Sequence, residues 1–188
     1  EYKHIAVRCI QYVLRDLTGE YDAFYSAEDA DSEGQEGLFY LFSKEEVLNI
    51  LGKEEGEKFC KNFDITEKGN FESKNIPNQI KNKSLIFESF YEKLYNYRKT
   101  RYSLHRDDKI LTVWNSLMVS ALCRAYEVLG DENYLKIAYK TLTFLENNLI
   151  KGECIYTSWR KGINCGSGVF DDYAFFISAC IDYYKTTF

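Results

Sequence analysis

The sequence predicts a mainly α-helical protein, part of a layered helical ring that carries a small β-hairpin insertion. Three observations lead to that fold. The stretch "YKHIAVRCIQYVLRDL" from Tyr2 lies without a gap over "YLKIAYKTLTFLENNL" from Tyr134. Tyr2 then matches Tyr134, Ile5 matches Ile137, Ala6 matches Ala138, Ile10 matches Leu142, Val13 matches Leu145 and Leu17 matches Leu149. That spacing keeps one face of a helix apolar in both copies. A second likeness relates "WNSLMVSALCRAYEVLG" to "DDYAFFISACIDYYKTT", each opening on polar groups and continuing in small residues and aromatics. Each amphipathic helix is also followed by a turn, at Gly19 or Gly152, and then by a β-prone apolar stretch.

Two helix types therefore alternate, an inner one apolar nearly all round and an outer one that covers it and shows one face to water. Leu111 to Leu129 reads as inner and Tyr134 to Leu149 as outer, joined by the tight turn "GDEN"; another inner helix begins near Asp171 and runs towards Phe188. Glu1 opens an outer-type helix with no inner helix before it, and the last inner helix has no outer partner after it. That pattern is expected of a fragment of a longer ring, read as a single domain over residues 1–188; a self-contained bundle of irregular helices is the alternative. Between the repeats, "GLFYLF" from Gly37 to Phe42 reads as a strand that pairs with "AFYS" across an acidic turn. Ser43 reads as an N-cap with Glu46 as its capping-box partner, opening a short helix to Leu51. A helix from about Glu54 to Asn62, an irregular segment around Pro77 and a charged amphipathic helix from about Ser84 to Arg101 complete the order.

Composition narrows the function. The 188 residues are 45% hydrophobic and 16% aromatic, which suits one domain with a sizeable core. A net charge of -5, from 24 basic and 29 acidic residues, argues against nucleic acid as a partner, because phosphate binding needs clustered Lys and Arg. No apolar run approaches a membrane span and nothing resembles a signal peptide, so a cytoplasmic protein is expected. The six cysteines include no C-x-x-C pair, which removes support for structural zinc and dithiol chemistry. Cys9, Cys123 and Cys180 fall on apolar helical stripes and are expected to be buried, reduced thiols.

Four polar clusters sit at the ends of predicted elements. The first is "SAEDADSEGQEG", with Asp29, Asp31 and Glu33; the second is "RDDKILTVWN", with Asp107, Asp108, Lys109, Trp114 and Asn115. The third is "GNFESKNIPN", with Asn70, Glu72 and Asn75, and the fourth is "FDDYAF", with Asp171, Asp172 and Tyr173. In a helical ring the inner helices all start on one face, so the second and fourth clusters are expected to meet there. One Asp suffices to cap a helix, and a pair at each inner helix is more than capping requires. The first cluster starts like a calcium loop, but Tyr40 stands where a bidentate Glu is needed, which argues against a helix-loop-helix calcium site and leaves a looser metal site as the alternative; no metal ligand set and no cofactor is assigned.

In chain order, "FYSAEDADSEGQEGLFY", "GNFESKNIPN", "DDKILTVWNSLM" and "FDDYAF", with their spacing, resemble the thioredoxin-domain-containing family of YyaL proteins and spermatogenesis-associated protein 20. The one departure noted is Ser116, where the family is expected to have glycine. The resemblance implies a partial (α/α)6 toroid, six-hairpin glycosidase-like and similar to sugar 2-epimerases, within a longer parent whose thioredoxin-like domain lies outside this piece. It also implies site candidates: Asp107, Asp108, Asp171 and Asp172 as catalytic carboxylates, and Asp29, Asp31, Glu33, Lys109, Trp114, Asn115 and Tyr173 as substrate contacts. Two functions follow. One is a carbohydrate-active epimerase, isomerase or hydrolase in the parent chain; the other is a non-catalytic module that binds a glycan or a protein. The expected partners are a carbohydrate or another small molecule and the remaining parts of the parent chain. Inner-helix faces left exposed are also expected to favour a dimer.

Overall fold

A computed structural model describes residues 2–82 and 88–188. The elements, in chain order, are α1 (Tyr2–Asp16), β1 (Ala27–Glu28), β2 (Asp31–Ser32), β3 (Gln35–Glu36), α2 (Lys44–Leu51), α3 (Lys53–Asn62), α4 (Glu88–Arg101), β4 (Arg106–Asp107), β5 (Ile110–Leu111), α5 (Thr112–Leu129), α6 (Glu132–Leu149), β6 (Ile150–Lys151), β7 (Cys154–Arg160), β8 (Ile163–Ser167) and α7 (Phe170–Thr187). The mainly α reading holds, with short strands inserted between helices. The predicted start of the charged helix, residues 84–87, lies outside the described residues. The chain divides into two compact units, one of Asp29–His105 and one of Tyr2–Glu28 with Arg106–Phe188.

The larger unit follows the repeat. Its core joins Val119, Leu122 and Cys123 of α5, Tyr134 and Ala138 of α6, Ala179 of α7 and Ile10 of α1. The inner-type α5 packs on both α6 and α7. It ends at Gly130, whose left-handed backbone (φ 75°) closes the helix through a bond from its N–H to the Tyr126 carbonyl. Asp131 then caps α6 by accepting the Asn133 N–H at 3.0 Å. After α6 the chain turns back through β6 into β7, and β7 pairs antiparallel with β6, β5 and β8, in registers such as Ile150↔Ile155, Ile110↔Trp159 and Ser158↔Cys165. A smaller version follows α1, where a bridge joins Thr18 to Phe24, and β1 pairs with β4 through Ala27↔Asp107. A second cluster, holding Ala23, Ile110, Leu145, Leu149 and Trp159, seals the sheet against α6.

The smaller unit corrects the predicted strand. "GLFY" is a turn, not a strand paired with "AFYS". Leu38, Phe39, Leu41 and Phe42 are all buried, so the segment lacks the in-and-out alternation of a half-buried strand. Its carbonyls find other partners, because the Arg101 guanidinium at the end of α4 donates to Phe39 and Leu41 oxygens, both at 2.9 Å. Arg101 also pairs with Glu46 at 3.3 Å and lies over the Phe42 ring. Glu46 completes the expected capping box: it accepts the Ser43 N–H at 2.7 Å, and Ser43 Oγ accepts the Glu46 N–H at 3.0 Å. The acidic turn makes its own hairpin from β2 and β3, with Glu33 and Gly34 both at positive φ (52° and 73°) at its tip.

The third polar cluster is structural. Asn75 is fully buried, and its amide donates to Phe42 and Thr66 carbonyls at 3.1 and 3.0 Å while accepting the Thr66 N–H at 2.9 Å. Asn70 similarly accepts the Ile76 N–H at 2.8 Å and donates to Asp64 and Ile76 carbonyls. The expectation of buried thiols needs correction as well. Cys60 and Cys123 are buried, and burial pushes their thiols up to about 11. Cys9 and Cys180 are exposed, because among the described residues no helix packs over those parts of their stripes.

Replacing Asn75 by Ala strands the Thr66 N–H and C=O in the interior, and is expected to cost about 2–4 kcal/mol in urea unfolding. Ser43→Ala removes one half-buried cap bond, that to the Glu46 N–H, and should cost only about 1 kcal/mol.

Candidate functional site

The larger unit gathers the starts of α5 and α7 on one strand, β7. On the α5 side, Leu111 pairs with Ser158 and Thr112 Oγ1 donates to the Tyr156 carbonyl at 2.5 Å. On the α7 side, Tyr173 Oη accepts the Ile155 N–H at 3.2 Å, and Thr157 Oγ1 donates to Asp172 Oδ2 at 3.2 Å. The second and fourth clusters thus share a common floor. A Cβ on Gly168 would crowd the Ile155 carbonyl at 2.5 Å, which keeps the entry to α7 close against β7.

The carboxylates differ in environment. Asp107 binds the Lys109 ammonium at 3.1 Å and accepts the Lys109 N–H at 3.3 Å. Burial works to raise its pKa, but the bonds from Lys109 and Ser26 prevail and hold the carboxyl below its usual range. Asp108 pairs with Arg160 and, at 3.4 Å, with Lys161, both from the β7–β8 hairpin. Its partial burial is likewise outweighed by those two cations, and its pKa is lowered. Asp171 is exposed. Asp172 is fully buried: it accepts the Val169 N–H at 2.9 Å, bonding back to the residue before the helix, while its Oδ1 has no hydrogen-bond partner among the described residues.

The predicted substrate contacts also separate. Asn115 is turned into the fold, where its amide accepts the Phe24 N–H at 2.8 Å and donates to Phe24 and Leu111 carbonyls at 3.0 and 2.9 Å. Trp114, in the first turn of α5, is 53% exposed. Lys109 is committed to Asp107, and Tyr173 to β7. Asp29, Asp31 and Glu33 belong to the smaller unit, exposed on the β2–β3 hairpin and its approach, where Asp29 accepts the Asp31 N–H at 3.1 Å. No three His, Cys, Asp or Glu side chains among the described residues stand close enough together to hold a metal ion. A groove of about 240 Å³ lies elsewhere, between Asp22 and the α6 residues Tyr139, Lys140, Phe144 and Asn148, and contains none of the predicted carboxylates. Sequence reasoning missed Thr112, Thr157, Arg160 and Lys161. The adjacent cations of "SWRKG", at a hairpin tip, were the available signal.

With this geometry in view, comparison with known proteins gives a consistent answer. The chain is 28% identical to spermatogenesis-associated protein 20 from mouse and from human, over 99% of its own length. The chain resembles spermatogenesis-associated protein 20 throughout. It spans 30% of the length of those relatives. A Caenorhabditis elegans protein described as uncharacterised is also 28% identical, over 98% of the chain. No protein-family model matches. Among the described residues no helix is long and apolar enough to cross a membrane.

The pairing of Asp108 sets a pH dependence. A carboxyl whose folded pKa is depressed adds stability that is complete above its unfolded value, about pH 4, and is lost as the pH falls through the folded value. Asp108→Asn is therefore expected to lower the urea midpoint at neutral pH, and the gap from the parent should narrow as the pH is taken below about 4. A gap that stays constant on acidification would contradict the pairing.

Proposed function

We propose that this chain forms part of the wall of an (α/α)6 toroid in a longer protein, and that its helix-start face binds a carbohydrate without turning it over. The observation that carries this reading is the state of the carboxylates. A general acid for glycosidic chemistry needs a raised pKa. Asp107 and Asp108 instead have lowered pKa values and are held as ion-paired carboxylates. Ionised oxygens of that kind accept hydrogen bonds from sugar hydroxyls, and an exposed indole such as Trp114 offers a flat apolar surface for a pyranose ring. The thioredoxin-like domain implied by the family resemblance is a further part of the longer protein on this reading.

One observation favours an epimerase, isomerase or hydrolase instead. Asp172 Oδ1 is buried and has no partner among the described residues, as a carboxylate kept in reserve for a substrate would be. A binding and turnover screen of the full-length protein against a sugar library separates the two. On the binding reading, Trp114→Ala weakens the best ligand by about tenfold, and Asp108→Asn and Asp172→Asn alter stability while no sugar is converted. Conversion of a sugar, abolished in a folded Asp172→Asn protein, would replace the binding reading with the enzymatic one.

A further inference from the structure

The charges around the proposed sugar site narrow the kind of sugar it takes. The whole chain has a net charge of -5, yet this corner of the larger unit is basic. Arg106, Lys109, Arg160 and Lys161 stand there against Asp107 and Asp108. Strand register explains the gathering: Ile110 pairs with Trp159 in an antiparallel ladder, which brings Lys109 towards Arg160, and Lys161 follows at the tip of the β7–β8 hairpin. Glu20 is a third carboxylate nearby, bonded to Tyr21, whose pKa is raised by Glu20 and more weakly by Asp108. Even with Glu20 counted, the cations are in excess.

Two of the four cations are committed. Lys109 holds Asp107 at 3.1 Å, and Arg106 donates to the Asp16 carbonyl at 3.0 Å and lies over the Tyr25 ring. Asp108, by contrast, faces two cations where one suffices to neutralise it. Arg160 meets it through Nε; among the described residues its two Nη atoms make no hydrogen bond, and the side chain is 54% exposed. Lys161 reaches the other carboxylate oxygen from 3.4 Å with its side chain 71% exposed. It sits at φ 49° in a turn whose left-handed positions ordinarily take Asn, Asp or Gly, so backbone preference does not account for a lysine there. A guanidinium bound through Nε keeps a planar pair of donors for another anion, and that pair matches two oxygens of a carboxylate or a phosphate. A neutral sugar can use the acceptors of Asp107 and Asp108, but it brings no charge to those donors.

We propose that the site takes an acidic sugar, one carrying a carboxylate or a phosphate, with Arg160 and Lys161 holding the anionic group while Asp107 and Asp108 accept from the hydroxyls. This rests on the carbohydrate reading above and adds to it the charge of the ligand.

Calorimetric titration of the full-length protein with methyl glucuronide, its methyl ester, methyl glucoside and glucose 6-phosphate tests this. At low salt the glucuronide or the phosphate should bind at least about tenfold more tightly than the ester and the glucoside, and the preference should shrink at about 0.5 M salt. The tighter of the two anions tells carboxylate from phosphate. Lys161→Gln should reduce the preference for that anion over the glucoside by about threefold, and Arg160→Lys, which keeps the charge and removes the fork, by about fivefold. Because the readout is a ratio, it is insensitive to a loss of folded protein. Equal binding of charged and neutral sugars overturns the proposal and leaves the carbohydrate reading standing. So does a preference that survives in the double variant, since the anion would then be held elsewhere. If no sugar binds at all, both readings fall.

Discussion

The larger unit depends on a single side-chain amide. Asn115 sits in the first turn of α5 and grips both the N–H and the C=O of Phe24, a residue 91 positions away in the chain. Backbone groups buried after a helix end must find partners somewhere, and Phe24 lies where no full strand runs past it. The amide serves because it is donor and acceptor at once; a carboxylate there offers no donor and an aliphatic side chain offers neither. With Phe24 held, Ile10 of α1 and Val119 of α5 share one core, and the two halves of the repeat pack as one body.

The smaller unit uses the same kind of chemistry with a different residue. Arg101 presents a planar fork of donors to a turn whose carbonyls have no strand to pair with, and its charge is balanced by Glu46. Asn75 supplies the matching service to Phe42 and Thr66. Irregular backbone is thus tolerated in the interior because polar side chains stand in for missing secondary structure.

Periodicity made the helices legible. The pairing of Tyr2 with Tyr134 and of Cys123 with Cys180 reads directly off the residue order, and the Ser43–Glu46 box marks its helix without any tertiary information. What periodicity does not carry is long-range partnership. The apolar run "GLFYLF" has strand-like composition, and only a guanidinium some 60 residues later makes it a turn. Asn115 has the look of a ligand contact because polar residues at helix starts often are, yet its partner is backbone. The same limit applies to Asp108, whose character is set by Arg160 and Lys161 from a hairpin that the sequence places far downstream.

The placement of β7 has a dynamic consequence. This strand bonds β5 and β6 along one edge and β8 along the other, and its residues also hold Thr112 of α5 and Asp172 and Tyr173 of α7. The first turns of both helices therefore share one anchor, and loosening of that strand is expected to release both together. A molecule resting against these helix starts would meet a surface whose spacing is fixed before it arrives, so little ordering entropy would be charged to its binding.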